Sequence, residues 1–133
     1  MDDLAAFLRA RYDETAAKAR AAAEELGADW YYDDGFVLAR REGDMVATGS
    51  QDFLERERGE HIARHDPARV LAEVDAKRRA VAKCAKWLSY GPVGDMDVDR
   101  AGDGAYVDAA ETMLRLLALP YADHEAYRED WRP

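Results

Sequence analysis

Along residues 3–26 the apolar side chains Leu4, Phe7, Leu8, Tyr12, Ala19, Ala22 and Leu26 recur at intervals of three and four, which gathers them on one face of an α-helix. Asp2 and Asp3 stand at the positive end of its dipole, and Gly27 offers the left-handed residue that commonly stops a helix. A first helix is predicted here, although Glu24 and Glu25 are ill placed in its last turn. The period then changes. Trp30-Tyr31-Tyr32, Phe36 through Arg41 and Met45 through Thr48 are β-prone runs separated by Asp34-Gly35 and Glu42-Gly43-Asp44, which predicts a three-stranded antiparallel meander. A sheet this small needs an apolar cover. Trp30, Tyr32, Phe36 and Leu38 are expected to include the residues that receive it.

Helical spacing returns after the meander. Ser50 is positioned to cap a short helix reaching about Arg58, Gly59 is expected to interrupt it, and residues 60–65 read as a further turn or two. Asp66-Pro67 pairs an N-cap acceptor with a proline at the first helical position, where its missing N–H costs nothing. A long helix is therefore predicted from there to about Leu88, with Val70, Val74, Val81, Cys84 or Ala85 and Leu88 as its apolar stripe. Residues 91–104 mix glycine, proline and aspartate without a period and read as an acidic loop. In the last helix, over 105–119, Leu116 and Leu119 widen a stripe of Tyr106, Val107, Ala110, Met113, Leu114 and Leu117 until it nearly surrounds the axis. That helix is expected to be the most buried. After Pro120, the spacing of Tyr121, Tyr127 and Trp131 predicts a docked tail, with Asp123 capping a short helix over 124–130.

These elements describe an α+β fold, mostly helical, with a small three-stranded antiparallel meander packed by long helices. The 133 residues are read as a single domain: helix 1–27, meander 28–49, broken and long helices 50–90, acidic loop 91–104, and C-terminal helix with docked tail 105–133.

Charge narrows the functional classes. Hydrophobic residues make up 48% of the chain and charged residues 35%, with a formal net charge of -9 and a pI near 4.8, so the long-range field repels nucleic acid and anionic lipid. The helix from Asp66 is a local basic exception, bearing Arg69, Lys77, Arg78, Arg79, Lys83 and Lys86. The acidic stretch that follows it is the expected counter-charge, and no nucleic-acid partner is expected. No run is apolar and long enough to span a bilayer, and the acidic start Met1-Asp2-Asp3 is unlike a secretory signal. The cytoplasm is the expected location, with no membrane partner.

Chemistry has few footholds. The lone cysteine, Cys84, falls on an apolar stripe, where a thiol behaves as a small hydrophobe. Asp95, Asp97 and Asp99 alternate like the first ligands of a calcium loop, but Arg100 stands where that loop needs glycine and Tyr106 where it needs glutamate. His61 and His65 are four apart, so two imidazoles on one helical face could hold a divalent transition metal such as zinc. His124, Glu57 or Asp66 could supply a third ligand. Against this, Ile62 follows His61 where a metalloprotease helix carries its glutamate, and His65 can equally serve the Asp66-Pro67 turn. The reading favoured is a non-catalytic protein-binding or adaptor module without a cofactor, whose partner could be a second copy of itself. The alternative is a metal-dependent hydrolase-like enzyme using His61 and His65, with His124 as the third ligand.

Two stretches carry a resemblance, HIARHDPARVLAEVDAKRR over 61–79 and LRLLALPYADHEAYREDWRP over 114–133, and the opening MDDLAAFLRAR fits with them. Together they resemble a domain-of-unknown-function family, numbered six-two-two-one, of short proteins from actinobacteria and their phages. The resemblance implies no substrate, cofactor or catalytic residue.

Overall fold

The computed structural model describes residues 1–89 and 100–133. Its elements are helix α1 (Asp2–Ala23), strands β1 (Trp30–Asp33), β2 (Phe36–Ala39) and β3 (Met45–Thr48), and helices α2 (Arg56–Arg64), α3 (Pro67–Ser89) and α4 (Arg100–Ala118). Two 3-10 turns, Leu119–Tyr121 and Glu129–Trp131, shape the C-terminal segment. The protein is mostly helical α+β, and its strands form one antiparallel sheet in the order β1-β2-β3.

The chain is organised in two compact units. The first consists of Met1–Tyr12 and Ala76–Pro133. Among the described residues its largest fully buried side chains are Leu4, Leu8 and Tyr12 of α1, Val81 and Cys84 of α3, and Leu114 of α4. The C-terminal segment is anchored on α1: Trp131, 5% exposed, packs its ring 5.1 Å from that of Phe7, and Tyr121 and Tyr127 meet Phe7 edge-on. The tail is docked without the predicted helix over 124–130, since separate one-turn hydrogen bonds, His124 to Tyr121 and Tyr127 to His124, carry its backbone.

The second unit, Asp13–Asp75, contains the meander. Cross-strand partners share a face, so the register Trp30 with Ala39 and Tyr32 with Val37 defines one side, where Val37 and Ala39 are buried. Helix α2 packs on β1 and β2. Tyr31, Phe36 and Leu38 take the opposite side, which corrects the expectation that Phe36 and Leu38 share the covered face with Trp30 and Tyr32. Strict alternation separates them: Phe36 and Leu38 are each one residue out of step with Val37 and Ala39.

Other boundaries also move. The first helix ends at Ala23, where the Gly27 N–H returns to the Ala23 carbonyl at 2.9 Å. No helix starts at Ser50; residues 50–52 form a turn and α2 begins at Arg56. Gly59 does not break α2 but lies buried inside it. The acidic loop predicted over 91–104 falls largely outside the described residues, including Asp95, Asp97 and Asp99, while α4 already begins at Arg100. Helix α4 is not the most buried element: Tyr106, Met113 and Leu116 are 53%, 44% and 54% exposed.

Candidate functional site

The histidines expected to gather a metal are held by different neighbours. His61 and His65 lie on α2 and its C-cap in the second unit, and their rings stand 4.4 Å apart. The Nδ1 of His65 is 2.8 Å from the His61 carbonyl oxygen, so that nitrogen carries the proton and donates it. Asp66 is committed elsewhere. One carboxylate oxygen accepts from the Arg69 amide at 2.9 Å and the other from the Trp30 amide at 3.0 Å. The N-cap read from Asp66-Pro67 is therefore present, and it also ties the start of α3 to the first strand.

His124 belongs to the first unit. Its ring contacts the Arg11 guanidinium, sits edge-on to Phe7 with centroids 5.7 Å apart, and accepts the Ala126 N–H at Nδ1. Arg11 is largely buried and also lies over the Phe7 ring at 5.1 Å. Near the same tail, Arg128 ion-pairs with Asp130 at 2.7 Å and with Asp3 at 2.5 Å, and the Arg115 guanidinium donates to the Asp130 carbonyl. This cluster organises a terminal segment against α1. Among the described residues, no group of three or more His, Cys, Asp or Glu side chains is arranged to hold a metal ion.

Exposed apolar surface is the more distinctive feature. On α4, Ala110, Leu114 and Ala118 are buried, while Tyr106, Ala109, Met113 and Leu116 form a second row at intervals of three, four and three along its exposed side. Ala105 and Thr112 flank that row with small uncharged side chains. Tyr106 also leans on Trp87 of α3, with ring centroids 5.5 Å apart. In the second unit Phe53 is 67% exposed and Met45 52%. Phe53 was not singled out from the sequence; its signal there is a lone aromatic directly after the turn-forming stretch Gly49-Ser50-Gln51-Asp52.

A family model matches residues 1–133, described as a family of unknown function. The chain belongs to the DUF6221 family. No curated protein and no solved structure matches it. In this DUF6221 member Cys84 is buried, and burial pushes its thiol pKa up, the opposite of what an activated nucleophile requires. Burial, reinforced by nearby Tyr121, raises the Tyr12 phenol to about 12. Among the described residues, no helix is long and apolar enough to cross a membrane.

Proposed function

We propose that this DUF6221 domain is a non-catalytic protein-binding module of the cytoplasm that pairs with a second copy of itself through α4. The observation that carries the reading is the second apolar row, Tyr106, Ala109, Met113 and Leu116, left exposed on a helix whose other side is already buried. Contiguous apolar surface of this kind marks interaction sites. Charge supports a self-partner. The second unit has sixteen acidic against eight basic residues, whereas the first, which contains α4, has twelve against eleven. The unit bearing the row is nearly neutral, so like-charge repulsion between copies is weak there. The row is also symmetric in an antiparallel sense: Tyr106 would face Leu116 of the other copy, and Ala109 would face Met113.

Disulfide trapping tests that geometry. Mixing Ala109→Cys with Met113→Cys protein under mild oxidation should give a mixed dimer in preference to either homodimer, Cys84 being buried and out of reach. Random pairing of the two variants would overturn the antiparallel arrangement.

A metal-dependent, hydrolase-like site on His61 and His65 is the second reading, supported by the closeness of their rings on one helical face. Metal analysis of untagged protein decides it. A stoichiometric transition metal lost in His61→Ala would favour the enzyme over the binding module.

A further inference from the structure

The second unit holds an aromatic side chain out of its core by an unusual concentration of local constraints. The backbone of residues 49–54 folds back on the β1–β2 turn. The Leu54 amide donates to the Gly35 carbonyl at 2.7 Å, and the Tyr32 hydroxyl donates to the Leu54 carbonyl at 2.8 Å while accepting the Gly35 N–H at 3.0 Å. Thr48 Oγ1 donates to the Asp52 carbonyl at 2.9 Å. Gly49 is crossed so closely that a Cβ there would lie 1.8 Å from the Phe53 carbonyl oxygen. Asp34 and Asp52 both have positive φ, 39° and 67°, a conformation L-residues with a side chain adopt at some cost. These constraints fix the Phe53 ring 5.8 Å from Phe36, yet leave it 67% exposed. Rigid display of a large aromatic is how interfaces present an anchor with little entropy left to lose on binding.

The surface around it has a definite character. Phe53 extends the sheet face opposite the one lined by Val37 and Ala39, where Leu38 pairs with Met45 and the Arg40 guanidinium lies 5.1 Å over Tyr31 at the far end. Exposed carboxylates stand at both ends of this face: Asp33, Asp34 and Asp52 near Phe53, Glu42 and Asp44 before Met45. None of the five is in an ion pair among the described residues. The geometry points to this face as a docking site for an amphipathic segment of a partner protein bearing lysine or arginine beside its apolar residues, with Phe53 as the anchor. Anionic lipid and a second copy of the same face are disfavoured by the same five carboxylates. The inference rests on the protein-binding reading but not on pairing through α4.

Fluorescence anisotropy with the full chain tests it, using a labelled leucine–lysine peptide whose leucines share one helical face and a leucine–glutamate counterpart. The lysine peptide should bind, weaken about tenfold in high salt, and shift amide resonances of residues 31–38 and 45–53 in NMR spectra. The glutamate peptide should not bind. Phe53→Ala should weaken the lysine peptide about tenfold at unchanged melting temperature, and the paired change Asp34→Asn with Asp52→Asn, which keeps residues tolerant of positive φ, should flatten the salt dependence. Met45→Ser supplies a second apolar probe should Phe53→Ala fold poorly. Met113→Ser with Leu116→Ser should bind the lysine peptide like wild type, so failure at α4 is distinguishable from failure here. Equal binding by wild type, Phe53→Ala and Met45→Ser, or equal binding of both peptides, would overturn the proposal.

Discussion

Gly59 lies against the ring of Tyr32 so closely that a Cβ at this position would stand 2.0 Å from Cδ2. Helix propensity alone favours alanine over glycine by about 1 kcal/mol. Overpacking costs about 1–3 kcal/mol, and the Tyr32 ring is pinned through its hydroxyl by Gly35 and Leu54, so packing wins. Gly59→Ala should lower the denaturation midpoint; a midpoint raised by the propensity gain would contradict this contact.

Asp66 serves two backbone donors from different elements, Arg69 and Trp30. Losing an N-cap costs about 0.5–2 kcal/mol, and the orphaned Trp30 amide adds to it. Asp66→Ala should therefore fall at or above the top of that range in chemical denaturation, while Asp66→Asn, which keeps one acceptor oxygen, should recover part of the loss. Equal stability of Asp66→Ala and wild type would remove both bonds from the account.

The Tyr12 phenol titrates at about 12 in the folded protein against about 10 in an unfolded chain. Because the folded value is the higher one, its contribution is fully present below pH 10 and is lost as pH rises from about 10 towards 12. The loss is at most about 3 kcal/mol, at about 1.4 kcal/mol for each of roughly two pKa units. The hydroxyl is buried without a hydrogen-bond partner among the described residues, so Tyr12→Phe should be near neutral or stabilising at pH 7 and should flatten stability over that alkaline window. An unchanged alkaline slope in Tyr12→Phe would count against the assignment.

Trp131, 5% exposed against Phe7 and Tyr127, is the main apolar tie of the C-terminal segment. Trp131→Ala should cost about 3–5 kcal/mol and open residues 121–133 to limited proteolysis. A variant as stable and as protease-resistant as wild type would show that the segment is an appendage.

Most of what could be read from the sequence is decided within a few residues, although the local cap signals at Ser50 and Asp123 start no α-helix. The α1 stripe, the Asp34-Gly35 turn, the three antiparallel strands and the Asp66-Pro67 start all depend on local periodicity, turn chemistry or capping, and all appear. Gly59 was misread as a helix break because only the distant Tyr32 explains it. Phe36 and Leu38 went to the wrong face because a run apolar at every position, Phe36-Val37-Leu38-Ala39, does not announce which alternate set is covered. Helix α4 posed the same ambiguity around its axis: its sequence shows apolar residues nearly all round, and only packing separates Leu114 from Leu116. For the candidate metal ligands, four-residue spacing correctly put His61 beside His65, whereas the neighbours of His124, Arg11 and Phe7, lie more than a hundred residues away in the chain.

Pairing through α4 is the central claim, and sedimentation velocity across a range of concentrations tests it most directly. A single helical row buries less than the roughly 800 Å² per partner of a standard interface, so wild type should pass from monomer to dimer near micromolar concentration, little affected by salt because the first unit is nearly neutral. Met113→Asp with Leu116→Asp should stay monomeric at every concentration with its fold intact by circular dichroism. A wild-type protein that remains monomeric at the highest soluble concentration, or a double variant that dimerises equally well, would contradict the account.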